Sequence, residues 1–151
     1  MKNILQMVLL LSLLLFNCKG ESTKKGQVDK ALDNIPTSLS LPMELNNGEK
    51  WVANLETHTG VKQMDSLVKA FHIDSTKNYK RLGENFSKQS SDIIKQCSME
   101  GKPHEQLHVV LIPMLDAIST LKETNTEDQA AKALDRMELL INTYFAHFTT
   151  E

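Results

Sequence analysis

Aromatic residues are scarce in this chain. One Trp, two Tyr and five Phe make up 5% of 151 residues, so a core has to be built from Leu, Ile, Val and Met. Glycine and proline are also few, at six and four, which excludes collagen-like and low-complexity character. Neither charge sign dominates. Seventeen basic residues face nineteen acidic ones, a net of -2, which gives no electrostatic ground for binding nucleic acid. No period of 20 to 50 residues marks a solenoid, and the chain is too short for an eightfold barrel of strands and helices. No apolar run reaches the ~20 residues of a membrane-spanning helix. The longest candidate, residues 4–16, is interrupted by Gln6 and Ser12.

That run has a different use. Lys2 supplies a positive start, the apolar stretch follows, and the sequence turns polar at Cys18-Lys19-Gly20-Glu21-Ser22-Thr23-Lys24-Lys25. Residues 1–17 therefore read as a signal peptide. The stretch Leu15-Phe16-Asn17-Cys18 resembles the cleavage region of bacterial lipoproteins, although Asn17 stands where those proteins usually carry Gly, Ala or Ser. The resemblance implies that Cys18 is the lipidated N-terminus of the mature chain, carrying palmitate-type acyl groups. It also implies an extracytoplasmic domain held on the cell envelope, at the outer membrane. At ~0.8 kcal/mol per buried methylene, several acyl chains hold a protein on a membrane effectively permanently. The mature part then has sixteen basic and nineteen acidic residues, a net of -3. With Cys18 acylated, Cys97 has no disulfide partner in the chain, so stability must come from the core.

Residues 18–47 read as a lipidated start, a polar tether and an extended strap. In the strap Leu39, Leu41, Met43 and Leu45 alternate with Ser40, Pro42 and Glu44. Pro42 argues against a central strand, so the strap should lie along a helical body. Residues 48–151 carry four stripes of helical period. The first is Val61, Met64, Val68 and Phe71, with a phase slip at Thr59-Gly60 that suggests a break or a late start. The second is Tyr79, Leu82, Phe86, Ile93, Ile94 and Cys97, with Asp74 or Ser75 as expected N-cap. Gly101 suits the end of that helix and Pro103 the first turn of the next. The third stripe is Leu107, Leu111, Met114, Leu115, Ile118 and Leu121, with a kink expected at Pro113. The fourth is Ala130, Leu134, Met137, Ile141, Tyr144 and Phe148, opened by a capping box of Thr126 and Gln129. Short connections make neighbours antiparallel, and the expected fold is an all-α, up-down four-helix bundle.

One turn carries residues with chemistry. Between the second and third helices stand Cys97, Met99, His104 and His108. Thiolate, thioether and two imidazoles form a soft set, suited to copper(I) or, without the Met, to zinc. The structural alternative is that Cys97 behaves as a small hydrophobe, Met99 packs the turn, and the two histidines sit at the edge of an apolar stripe. His58 and His72 fall near helix ends, where solvated roles are expected. No glycine-rich phosphate loop, nucleophile elbow or paired Glu-x-x-His motif is present, so catalytic residues are not expected.

The segments Leu45-Asn46-Asn47-Gly48-Glu49-Lys50-Trp51 and Cys97-Ser98-Met99-Glu100-Gly101-Lys102-Pro103-His104-Glu105-Gln106-Leu107-His108 resemble a group of small bacterial envelope lipoproteins with a helical-bundle domain. The resemblance spans residues 43–148 and implies the domain, with no activity attached. The expectation is a binding or interaction module whose partners are the membrane, through its anchor, and another envelope or extracellular protein. A purely structural or adhesin-like lipoprotein with no small ligand is the alternative.

Overall fold

The computed structural model describes residues 41–150. The signal peptide, Cys18 and the tether lie outside these residues. Four helices run α1 (Leu55–Ile73), α2 (Tyr79–Gln96), α3 (Gly101–Glu123) and α4 (Glu127–His147). Each packs mainly on its neighbour in sequence, and α1 meets α4 over a smaller seam. The chain is an all-α four-helix bundle, as the four stripes require. Among the described residues no helix is long and apolar enough to cross a membrane.

The stripes became the core. Val61, Met64, Val68 and Phe71 of α1 are buried, as are Leu82, Phe86 and Ile93 of α2. Leu107, Leu111, Met114, Ile118 and Leu121 of α3 join them, with Leu134, Met137, Ile141 and Tyr144 of α4. Ile94 departs from its stripe and is exposed, because Ile93 alone takes the inward position beside α1.

The phase slip at Gly60 is not a break. Helix α1 begins at Leu55 and runs through Gly60, which is buried where α2 comes closest. A Cβ built on Gly60 would stand 2.4 Å from Ile93 Cγ1. The glycine admits the neighbouring helix, and the slip records that close approach. Gly83 plays the same part between α2 and α3, where a Cβ would meet Leu121 Cβ at 2.9 Å and the Lys122 backbone nitrogen at 3.1 Å.

The helix ends differ from expectation in detail. Helix α2 is capped by Asn78, whose Oδ1 accepts the Arg81 N–H at 2.9 Å; Asp74 instead accepts the Thr76 N–H within the preceding turn. At α4, Thr126 occupies the cap position without a side-chain cap bond, and Gln129 Oε1 accepts from the Thr124 hydroxyl at 2.6 Å. The expected capping box is therefore replaced by a side-chain bond from the preceding loop to Gln129. Helix α3 continues through Pro113.

Two short strands were not anticipated. β1 (Trp51–Val52) pairs in parallel with β2 (Phe148–Thr149), with Trp51 opposite Phe148. This clasp closes the α1–α4 seam at one end of the bundle. There Lys50 Nζ donates to the Phe145 carbonyl at 2.7 Å, covering the negative end of α4. Just before β1, Asn47 and Gly48 both have positive φ, at 53° and 93°, in a tight turn bridged by Asn46 and Glu49. Asn-Gly is the pair that such a turn favours. The strap behaves as its pattern suggested over the residues described. Leu41 and Met43 pack on the core, while Pro42 and Glu44 face outward. Leu45 breaks the alternation and is exposed. The strap is fastened to α3 by the Glu44 N–H, which donates to the buried Gln106 Oε1 at 2.8 Å.

Candidate functional site

The turn between α2 and α3 was expected to gather four soft ligands. The chain leaves α2 at Gln96, and residues 97–100 form the connection, with Cys97 and Glu100 both extended. Gly101 has φ of 60°, a left-handed conformation that opens α3 and does not cap α2. Lys102 and Pro103 already belong to α3. The reversal is therefore made by residues 97–100 and not by residues 101–103.

Cys97 is half-buried, packs on the core, and lies close enough to the Tyr144 phenol to help push that group's pKa upward. His104 and His108 are neighbours on α3, with ring centroids 4.4 Å apart. Met99 is half-buried against the core. Among the described residues, no three His, Cys, Asp or Glu side chains are grouped to hold a metal ion. The structure thus sets His104 and His108 side by side, while Cys97 and Met99 pack on the core. The imidazole pair by itself supplies two donors, where a closed zinc site uses four.

Cys97 instead joins a cluster at the clasp end. The Tyr144 hydroxyl lies 3.3 Å from His58 Nδ1, and the His58 ring stands edge-on to Phe145 at 5.7 Å. Burial is the larger cause of the raised Tyr144 pKa, so the phenol stays protonated beside His58. The His58 pKa is itself lowered, first by burial and then by the charges of Lys62 and Lys50. Sequence reading placed His58 in solvent; its partner lies eighty-six positions away, on α4, and only the fold brings it near. His72 does face solvent, with Nε2 2.7 Å from Glu138 Oε1 across the α1–α4 seam.

At the opposite end, a groove opens where α1 turns into α2. Its volume is 390 Å³. Leu67, Ala70, Phe71 and Leu82 supply its apolar lining, and Asp74, Arg81 and Asn85 its principal polar groups. Phe71 is held in place: its ring is 4.9 Å from that of Tyr79, and Lys77 Nζ sits 5.0 Å from its centroid. Lys77 also donates to the Phe71 and His72 carbonyls, at 2.7 and 3.0 Å, and so closes the C-terminal end of α1. Arg81 and Asn85 lie one turn apart on α2. Neither side chain forms a hydrogen bond or ion pair with another described residue. Sequence reading passed over this groove because its polar residues belong to a loop and a solvent-facing stripe. The available signal was a cluster of Asp74, Thr76, Asn78 and Arg81 around a helix start.

No protein-family model, curated protein or solved structure matches the chain.

Proposed function

We propose that this chain is a lipid-anchored protein of the bacterial cell envelope whose helical bundle is a small binding module, taking its ligand in the α1–α2 groove. The anchoring part rests on the apolar run that stops at Cys18. The binding part rests on one observation: a cavity of 390 Å³ that combines an apolar lining with polar side chains left without partners. Ligand sites typically have this make-up and occupy ~300–1,000 Å³, which puts the groove at the small end.

A fragment screen by nuclear magnetic resonance tests the binding part. With the chain carrying Cys18→Ser, which removes the acyl acceptor, bound fragments should perturb Leu67, Phe71, Arg81, Leu82 and Asn85 together. A screen with no such cluster of shifts overturns the reading. The anchor has its own test. Cys18→Ala should move the protein from the membrane to the soluble fraction, and a mature N-terminus that begins elsewhere without lipid refutes it.

The soft-metal form of this function, with copper(I) or zinc, rests on Cys97, Met99, His104 and His108 around the α2–α3 connection, with the two imidazoles side by side. Metal analysis of protein purified without chelator decides it. The surface-interaction alternative is favoured by the large apolar side chains left outside, above all Ile73 at 88% exposure and Leu55 at 67%.

A further inference from the structure

We propose that the ligand of the groove is a free amino acid with an apolar side chain, a reading that rests on the groove being the binding site. Two opposite charges line one cavity without pairing. Asp74 and Arg81 both border the groove, yet no ion pair joins them. Local structure holds the Asp74 carboxylate and leaves the Arg81 guanidinium without a partner among the described residues. Asp74 Oδ1 accepts the Thr76 N–H at 2.8 Å, which fixes the carboxylate in its turn. Arg81 stands in the first turn of α2, its backbone N–H taken by the Asn78 cap. The result is a positive and a negative group lining one space without an ion pair between them.

Such a space discriminates by charge pattern. A monoanion matched to Arg81 meets the Asp74 carboxylate, and a monocation matched to Asp74 meets the guanidinium. A neutral apolar molecule takes water from both charges and returns nothing, which is unfavourable. A zwitterion satisfies both. Its carboxylate suits the planar donor fork of Arg81, with the Asn85 amide one turn further along as a second donor. Asn78 also lines the groove, so the positive end of α2 is at its rim and adds to the preference for a carboxylate there. The ammonium suits Asp74. Lys77 does not compete for the carboxylate, since its ammonium is committed to the Phe71 and His72 carbonyls. The third element is the apolar lining. Leu67, Phe71 and Leu82 ask for an aliphatic or aromatic side chain, and the small volume asks for one residue's worth of it.

Four probes separate these elements. L-leucine carries both charges and the side chain. 4-Methylpentanoate lacks the ammonium, 3-methylbutylamine lacks the carboxylate, and glycine lacks the side chain. Each is titrated into the chain carrying Cys18→Ser while backbone and side-chain resonances are followed. Leucine should saturate with shifts at Phe71, Arg81 and Asn85, and each of the other three should bind at least about tenfold more weakly. Arg81→Gln and Asp74→Asn should each weaken leucine by a similar factor. Both positions are exposed, and the asparagine side chain keeps an oxygen to accept the Thr76 N–H, so circular dichroism should show an unchanged fold. Equal binding of leucine and 4-methylpentanoate overturns the amino-acid assignment and leaves the groove as a site for anions. The assignment also falls if another fragment fills the groove while leucine fails to saturate at tens of millimolar, or if Arg81→Gln leaves leucine binding unchanged. If nothing binds there, the groove reading itself has failed.

Discussion

Replacing Gly60 by Ala sets two effects of known size against each other. In a helix interior Ala is favoured over Gly by ~1 kcal/mol, so on propensity alone the substitution should stabilise the protein. The geometry opposes this. The new Cβ would stand 2.4 Å from Ile93 Cγ1 and 2.8 Å from Cδ1. Carbon atoms pack best at ~3.5–4.0 Å, so both contacts are well inside the repulsive wall. Ile93 is 1% exposed and has no open space to turn into. Overpacking of this kind costs ~1–3 kcal/mol. The expected net result is a loss of about 1 kcal/mol, read as a lower midpoint in a denaturant titration followed by far-ultraviolet circular dichroism. A double-mutant cycle isolates the cause. Ile93→Ala alone should cost ~2–5 kcal/mol through the space it leaves. Gly60→Ala with Ile93→Ala should cost less than the two losses added, by about 1 kcal/mol or more, because the methyl enters the vacated space. Stabilisation by Gly60→Ala, or simple additivity in the cycle, refutes the claim that Gly60 exists to admit α2.

Leu111→Ala, at a buried position in the middle of the α3 stripe, should lower the unfolding free energy by ~2–5 kcal/mol, and a loss below ~0.5 kcal/mol would show that the core does not depend on it. Arg136 Nε is buried without a partner among the described residues; Arg136→Met keeps the apolar stem and should raise the unfolding free energy by ~1 kcal/mol, whereas a loss would mean that its charge is used. Because the His58 pKa is lowered in the fold, the unfolded chain takes up the extra proton. Its contribution to stability is complete above the ordinary imidazole range and is lost as pH falls through it. The melting temperature of wild type should therefore fall more steeply between pH 8 and 5 than that of His58→Gln, about one to two pH units either side of the ordinary imidazole value; parallel curves would refute the linkage.

The fold was legible because period is a property of single residues. Val61, Met64, Val68 and Phe71 announce a buried face whatever lies opposite, and so do the stripes of α3 and α4. Features that depend on two distant segments were not. The Thr59-Gly60 phase slip looks like a break until Ile93 is seen against it. Trp51 carries no strand signal and Phe148 reads as the end of the fourth stripe; they become a strand pair only when the bundle brings its two ends together. The candidate site followed the same division. Cys97, Met99, His104 and His108 are close in sequence and were grouped for that reason. The fold adds what spacing could not show: Cys97 lies by Tyr144, and the two histidines are side by side on α3. The groove was hidden because Arg81 and Asn85, read singly, are ordinary surface residues. Only the approach of Phe71 and Leu67 makes a cavity beside them. The Asn47-Gly48 turn is the exception. Its signal was fully local and was overlooked for want of strands on either side.

The β1–β2 clasp bears on the order in which the molecule assembles. Each helical hairpin joins segments adjacent in the chain, so its contacts close small loops and form early. The clasp joins residues 51 and 148, and closing so large a loop before the helices exist costs entropy that two short strands cannot recover. It should therefore zip last on folding and open first when the native state fluctuates. Amide hydrogens at the clasp, such as that of Ala53 donating to the Thr149 carbonyl, should exchange with solvent well before those around Ile93 and Leu140. The segment between the tether and α1 is then a separable latch that can release without melting the bundle.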